Sequence, residues 1–174
     1  MKSLKLILYI PLLILLAVQT SCKKESLTKE TQTGANTFSC KINGKVFIPC
    51  NDFDLFVTTT PLYVHYDNNF TRVFIGAQCN KEVPYRRIYI DLDNFHGVGE
   101  YLLSDVNNSC IYLESDPIDK YYKSQLTKTG KVTITKDDRT NSILSGTFEF
   151  TAADKTNPSD MVTVSSGRFD IKTN

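Results

Sequence analysis

The chain offers few residues for acid–base chemistry. Its two histidines are His65, which shares a predicted strand face with Tyr63, and His96, in an Asn-Phe-His-Gly loop. A histidine general acid or base would have to be one of them. No G-x-S-x-G, G-x-x-x-x-G-K-[ST], H-E-x-x-H or G-x-G-x-x-G motif occurs, so the usual hydrolase, nucleotide-binding and zinc-protease signatures are absent from the sequence. We therefore expect no catalytic residue and no enzymatic activity.

Two carboxylate pairs have a spacing that could bind calcium or form a glycosidase dyad. Asp52/Asp54 and Asp91/Asp93 are separated by two positions, which on a strand places both side chains on one face. The first pair follows a predicted strand and the second ends one, so a solvated rim is the simpler interpretation. We predict no metal and no cofactor, with a hydrolase using an Asp pair or His65 as the weakest alternative.

Several aromatic residues near predicted turns could contact a ligand. They are Tyr85, Phe95, Tyr121 and Tyr122, with His96 beside Phe95. Such rings could stack on sugars or peptides. The chain has nine tyrosines, ten phenylalanines and no tryptophan, and the simpler interpretation of these rings is core and cross-strand packing.

Four cysteines predict disulfide bonds in an exported chain: Cys40, Cys50, Cys79 and Cys110. Three pairings are open, and some of the four could instead be buried free thiols. A zinc site is disfavoured because there is no C-x-x-C and neither histidine is close in sequence to a cysteine.

The Asn43-Gly44 turn bears on the cysteine pairing, because it sets the register of a hairpin. A two-residue turn would pair Ile42 with Lys45 and split the apolar positions between both faces. A longer, bulged turn buries the apolar positions better and is the register we expect. It places one set of residues on the buried face: Phe38, Cys40, Val46, Ile48 and Cys50. Cys40 and Cys50 are then out of step, so each is expected to pair with Cys79 or Cys110.

The N-terminus is a predicted export signal. Lys2 and Lys5 precede an apolar run from Leu6 to Val18, which is too short to cross about 30 Å of hydrocarbon as a helix. The small residues before Cys22 resemble the lipobox of bacterial lipoproteins, although Gln19 stands where that pattern usually has an aliphatic residue. The resemblance implies that residues 1–21 are removed and that Cys22 carries a lipid. Ordinary secretion is the alternative.

The segment after Cys22 is polar, with Leu27 as its single large aliphatic residue. Such a composition buries too little apolar surface to offset the entropy of ordering. We predict a lipidated cysteine and flexible tether at residues 22–36, which would hold the domain about 20 Å from a membrane. The rest, residues 37–174, is predicted to be one domain.

The body of the chain consists of short alternating segments separated by turn residues, which is typical of an antiparallel sandwich or barrel. The predicted strands are Thr37 to Ile42, Lys45 to Pro49, Pro61 to Tyr66, Arg72 to Cys79, Arg86 to Leu92, Gly99 to Leu103, Cys110 to Glu114, Lys131 to Lys136, Ser142 to Ala152 and Met161 to Lys172. We predict an all-β fold, an antiparallel β-sandwich of about 8–10 strands. A lipocalin-like β-barrel is the alternative, but the G-x-W motif and the C-terminal helix of lipocalins are missing from the sequence.

One segment fits two structures equally well. Asp116 could cap a helix with Pro117 at its first position, followed by Ile118, Tyr121 and Tyr122 at helical spacing. The competing interpretation places Tyr121 and Tyr122 in an edge strand, because aromatic residues also favour strands.

Five segments in order resemble a family of uncharacterised Bacteroidota lipoproteins. They are TFSCKINGK at 37–45, GVGEYLL at 97–103, GKVTIT at 130–135, ILSGTFEF at 143–150 and SGRFD at 166–170. The resemblance implies an extracytoplasmic β-rich domain of unknown function and assigns no catalytic residue.

The charge balance excludes a class of partners. Lys plus Arg number 20 against 19 Asp plus Glu, so the basic excess needed for nucleic-acid binding is absent. We expect a lipid-anchored envelope protein, exported to the outer membrane, that contacts a glycan or a protein as a non-enzymatic binding or accessory module. A carrier of a small apolar ligand in a lipocalin-like barrel is the alternative.

Overall fold

The computed structural model describes residues 26–50, 53–54, 57–58, 60–81, 83–115 and 118–173. They form thirteen strands and one short helix, numbered here in chain order. The strands are β1 (Thr37–Ile42), β2 (Lys45–Phe47), β3 (Phe53–Asp54), β4 (Val57–Thr58), β5 (Leu62–Tyr66), β6 (Arg72–Cys79), β7 (Tyr85–Asp93), β8 (Gly99–Leu102), β9 (Asn108–Ser115), β10 (Asp119–Lys123), β11 (Thr129–Asp138), β12 (Ile143–Asp154) and β13 (Met161–Lys172), and the helix α1 is Ser124–Thr127. The predicted all-β class is confirmed, and each of the ten predicted strands has a counterpart.

Eleven strands form one open antiparallel sheet in the order β2-β1-β13-β12-β10-β9-β7-β6-β5, with β11 pairing with β12 and with β8. The long strand β12 pairs with two different strands along one edge. Its residues Ile143–Thr151 pair with β11, whereas Ala153 and Asp154 pair with β10, so β12 links the part of the sheet that contains β8 and β11 to the part that contains β5, β6, β7, β9 and β10. Strands from both parts contribute side chains to a single core. In addition, β13 approaches β5, which is not its neighbour in the sheet. This arrangement is consistent with the predicted β-sandwich, and the sheet is not the closed barrel of the alternative.

The core follows from the period of two in the strands. In β6, Val73, Ile75 and Ala77 are fully buried, and in β7 Ile88 and Ile90 are too. Their sequence neighbours lie on the outer face, where all but Gly76 are half-buried or exposed. The buried apolar side chains of β6 and β7 therefore belong to one core together with those of β1, β11, β12 and β13.

The first hairpin has the register that we did not expect. Ile42 pairs with Lys45 and Cys40 with Phe47 around a two-residue turn. Asn43 and Gly44 have φ of 47° and 82°, the positive values that such a turn requires. The predicted bulged turn is therefore wrong. The observed register buries the ring of Phe47, which is 3% exposed, and leaves Ile48 40% exposed. Burial of the Phe47 ring therefore contributes more to the free energy of folding than burial of Ile48 would.

The ambiguous segment is mostly a strand. Tyr121 and Tyr122 lie in β10, which pairs with β9 and, at its end, with β12. The strand is thus not an edge strand, and the only helix in the described part of the chain is one turn later, at Ser124–Thr127. Asp116 and Pro117, the expected start of the helix, lie outside the described residues.

The four cysteines in the described ranges form one disulfide bond. Cys50 is bonded to Cys79, a separation of 29 residues. Cys50 therefore has one of its two expected partners, whereas the expectation that Cys40 also pairs is wrong. Cys40 and Cys110 are buried free thiols within the core, and burial raises the pKa of both.

Part of the predicted tether is attached to the sheet. The backbone N–H of Thr28 donates to the Ser39 hydroxyl at 3.0 Å, and Thr31, Thr33 and Gly34 donate to the carboxylate of Asp170 in β13. The composition of this segment could not predict the attachment, because Asp170, the main acceptor, is more than 130 positions away in the sequence. The predicted signal at residues 1–21, Cys22 and Asp52 lie outside the described residues. Across the described ranges no helix is long and apolar enough to span a membrane.

Candidate functional site

A cleft of about 680 Å³ separates two walls of the molecule. One wall is the run from Gly44 to Cys50, which contains β2. The other contains Cys79, Lys81, Pro84 and Arg86, at the end of β6 and the start of β7. It is larger than the pocket of about 370 Å³ bordered by β11, β12 and β13, and a concave site of this size is the default position for a ligand.

The Cys50–Cys79 disulfide joins the two walls at one end of the cleft. The backbone N–H of Cys50 also donates to the carbonyl of Gln78 at 3.1 Å, and the two cysteines form a parallel bridge. The covalent bond and the hydrogen bond together fix the separation of the walls at this end, so the cleft is largely preformed.

Three cations line the cleft: Lys45 on one wall, and Lys81 and Arg86 on the other. No carboxylate is present among the described lining residues. Glu114 lies across from Arg86 in the β7–β9 register and accepts a hydrogen bond from the Tyr112 hydroxyl at 3.0 Å. Burial, together with the Glu114 carboxylate, raises the pKa of Tyr112, so its hydroxyl stays a neutral donor.

The rest of the cleft and its rim are apolar. Val46, Ile48, Pro49 and Pro84 line it, and the Val83–Pro84 peptide bond is cis. Beside Pro84, Val83 is 59% exposed and Tyr85 is 42% exposed. Exposed apolar side chains lie here beside three cations that form no ion pair with a described residue, which favours a ligand with both anionic and apolar groups.

The described lining of the cleft consists of cationic and apolar side chains together with the disulfide. Its described lining contains no serine, threonine, histidine, aspartate or glutamate, and its two cysteines are oxidised to a disulfide. The groups that it does offer are two ammonium groups, a guanidinium and apolar surface. Ammonium and guanidinium groups form strong hydrogen bonds with anions.

The residues predicted to contact a ligand do not form one site. Tyr85 begins β7, beside the cleft, whereas His96 follows the other end of that strand, which is about 26 Å long at 3.3 Å per residue. His96 is exposed, and its ring lies 4.9 Å from that of Tyr101. Only Tyr85 of the predicted set borders the cleft.

Phe95 and Tyr122 belong to the core. Phe95 is 4% exposed and stacks on Tyr101, and Tyr122 is 5% exposed and stacks on Tyr112. Tyr121 is half-buried on the outer face of β10, with the Lys123 ammonium 5.1 Å from its ring centre. Packing therefore accounts for two of the predicted rings, as the simpler interpretation held.

The candidate acid–base residues are dispersed. His65 is exposed in β5, and its register partner is Phe74. Asp91 accepts two hydrogen bonds from the Arg72 guanidinium, which identifies it as an ion-pair partner. Within the described ranges no group of three or more histidine, cysteine, aspartate or glutamate side chains could hold a metal ion.

Sequence reasoning missed Lys45, Lys81 and Arg86, which are separated along the chain and carry no motif. The Cys50–Cys79 bond brings the segment that contains Lys45 close to the segment that contains Lys81 and Arg86. The sequence alone allows several cysteine pairings and does not single out this one. The residues that define the cleft thus emerge from the disulfide and the sheet topology.

Comparison with known proteins identifies a family without an assigned activity. The family model described as Domain of unknown function (DUF6252) matches residues 68–170. No curated protein matches, and no solved structure matches. The matched region contains the Cys79–Arg86 wall of the cleft, and the Gly44–Cys50 wall precedes it. Since the match covers more than half of the 174 residues, the protein belongs to the DUF6252 family.

Proposed function

We propose that this protein is a non-enzymatic binding module of the cell envelope that captures an anionic partner in the cleft between β2 and the start of β7. The observation that carries the proposal is the charge of the cleft. Lys45, Lys81 and Arg86 line it, and the described lining residues include no carboxylate.

Three cations around one cavity are physically significant in a chain whose formal net charge is only +1. The positive potential is local, and a concave wall of low dielectric constant strengthens it by limiting the access of water. An anion entering the cleft gains attraction from all three groups, and its apolar parts can cover Val46 and Ile48.

The proposed location is the envelope, with Cys22 as a lipid anchor. Two observations support it: the signal-like sequence before Cys22, and a disulfide bond, which forms in oxidising compartments outside the cytoplasm. Thr28 is fixed to Ser39, and only six positions separate it from Cys22. At most about 20 Å of extended chain would then separate the anchor from the domain.

Binding to a charged polymer tests the proposal. The full-length chain, expressed with its export signal and purified in detergent, is titrated with dextran sulfate and with uncharged dextran. We expect binding to dextran sulfate alone, weakening as salt rises from about 50 to 500 mM because the charges become screened.

A charge-matched pair of variants locates the binding site. The triple variant Lys45→Gln, Lys81→Gln, Arg86→Gln is expected to lower the affinity for dextran sulfate by about tenfold or more. The control Lys128→Gln, Lys155→Gln, Lys172→Gln removes the same charge from exposed lysines outside the cleft. An equal loss in both variants, or no binding by the unaltered chain, would overturn the proposal.

Lipidation is tested separately. Metabolic labelling with an alkyne fatty acid should modify the unaltered chain and leave Cys22→Ser unlabelled. Labelling of Cys22→Ser, or no labelling of the unaltered chain, would remove the anchor from the proposal while leaving the binding site in place.

A further inference from the structure

The free edge of β2 faces the cleft. β2 is the last strand on its side of the sheet and pairs only with β1. Its other edge has no paired strand among the described residues, and the whole run from Gly44 to Cys50 lines the cavity. The cleft therefore lies where a further strand would continue the sheet.

The hairpin register shows which backbone groups are available there. Around the two-residue turn, Lys45 and Phe47 are the residues that exchange hydrogen bonds with β1. The N–H and C=O of Val46 point the opposite way, toward the cleft. Ile48 lies two residues further along, just after β2, and because the following Pro49 favours an extended conformation we expect the same orientation for its N–H and C=O.

Cys50 demonstrates that this edge can pair with a strand. It has the same parity as Val46 and Ile48, and its N–H already donates to the carbonyl of Gln78 at 3.1 Å. At this point the walls meet in a parallel bridge, and beyond it they enclose the cleft. The free groups of Val46 and Ile48 recur every two residues, about 6.6 Å, which is the repeat of an extended peptide.

From these positions we infer that the partner captured in the cleft is an extended peptide segment with acidic side chains, which adds to β2 as an extra strand. The inference rests on the proposed function and names its ligand class. Backbone hydrogen bonds to Val46 and Ile48 supply the pairing, while Lys45, Lys81 and Arg86 select acidic side chains.

The same charges explain why the edge would not pair indiscriminately. A lysine on an edge strand discourages association with neutral or basic strands. Lys45 therefore disfavours pairing of β2 with neutral or basic strands and favours pairing with an acidic strand. The exposed side chain of Ile48, at 40%, offers an apolar contact for alternate residues of such a peptide.

The probe for this inference is an acetylated and amidated peptide of four Glu-Val repeats, with four Lys-Val repeats as its charge control. Hydrogen–deuterium exchange on the full-length chain measures the backbone directly. We expect the amides of Val46 and Ile48 to exchange about tenfold more slowly with the Glu-Val peptide and to be unaffected by the Lys-Val peptide.

Two variants at one position separate the backbone from the side chain. Val46→Pro removes the N–H that faces the cleft and is expected to weaken binding of the Glu-Val peptide by about tenfold. Val46→Ala keeps the N–H and should weaken it by less than about threefold. Should Val46→Pro fail to fold, the exchange measurement on the unaltered chain decides.

The outcomes distinguish this inference from the proposed function. If the Glu-Val peptide binds without protecting Val46, or if dextran sulfate binds and the peptide does not, strand addition is wrong and anion capture stands. If neither probe binds, both fail. Slower exchange at Val46 together with a selective loss in Val46→Pro establishes strand addition.

Discussion

The hydroxyl of Ser145 in β12 donates to the buried carboxylate of Asp170 in β13, at 2.8 Å. The other acceptor positions of that carboxylate are occupied by donors from Thr31, Thr33, Gly34 and Ala35. Asp170 is 1% exposed, so one buried charge connects the N-terminal segment to the centre of the sheet.

Replacing this carboxylate should destabilise the domain strongly. Asp170→Asn keeps one acceptor oxygen but turns an NH2 group toward existing donors, and we expect a loss of about 3 kcal/mol in the free energy of unfolding. Ser145→Ala removes a single donor and should cost about 1 kcal/mol. Urea denaturation measures both.

Limited trypsin digestion adds a local readout for the same pair of variants. Cleavage after Lys29 should accelerate in Asp170→Asn more than in Ser145→Ala, because the N-terminal segment loses most of its attachment. Equal stability and equal cleavage of the two variants would contradict this role for Asp170.

Asp154 should make the stability dependent on pH in the acid range. The Thr156 hydroxyl, with the backbone N–H groups of Asn157, Thr156 and Tyr121, lowers the pKa of Asp154 to about 2, against a smaller upward effect of desolvation. A lowered pKa in the folded state stabilises the protein above the unfolded pKa of about 3.9, and this contribution disappears as the pH falls toward 2.

Asp154→Asn should therefore be less stable than the unaltered chain at pH 6, with the difference shrinking toward pH 2. In Thr156→Val the carboxylate remains but loses its strongest donor. We expect the pKa of Asp154 to rise in that variant, measured by NMR titration of its carboxyl carbon. A difference in stability that stays constant from pH 6 to pH 2 would refute the prediction.

Thiol accessibility should separate the four cysteines of the domain into two classes. Cys40 and Cys110 are fully buried, and burial raises the pKa of each thiol, so neither should react with iodoacetamide in the folded protein. Unfolding without a reductant should expose these two thiols, and unfolding with a reductant should expose Cys50 and Cys79 as well. Mass spectrometry of the alkylated peptides assigns each site, and alkylation of Cys50 without a reductant would contradict the disulfide.

Two glycines should differ in their tolerance of a methyl group. A Cβ on Gly146 would clash with the backbone oxygen of Thr133, which cannot move without disturbing β11. A Cβ on Gly76 would meet the ring of Tyr63, a half-buried side chain on the terminal strand β5, and this ring can rotate away. We expect Gly146→Ala to cost about 3 kcal/mol and Gly76→Ala less than about 1 kcal/mol in urea denaturation. Equal costs would show that Tyr63 is as fixed as the backbone of β11.

The strands could be predicted because their signals are local. The buried residues Val73, Ile75 and Ala77 recur at every second position of β6, and Asn43-Gly44 marks a turn. Both patterns depend only on residues that are adjacent in the chain.

The features that escaped prediction depend on distant partners. The attachment of Thr31 depends on Asp170, and the burial of Phe47 instead of Ile48 depends on the rings that Phe47 meets, such as Phe38 at 6.3 Å between ring centres. The cleft also depends on residues that are far apart in the sequence, because it forms where β2 approaches the start of β7. Local composition carries no information about such pairings, so the binding site could not be located from the sequence.

The position of β1 has a consequence for how the chain reaches its native state. β1 lies between β2 and β13, with Thr37 opposite Asp170, so the earliest strand of the domain pairs with the final one. Contacts between the two ends of a chain form slowly, because closing the long loop between them costs conformational entropy before the contacts can stabilise the structure. A chain that emerges with its N-terminus first can complete the β5–β6–β7 meander early, but its N-terminal hairpin must wait for the C-terminus. Truncation of the last dozen residues should therefore leave the hairpin, and with it one wall of the cleft, without a docking strand.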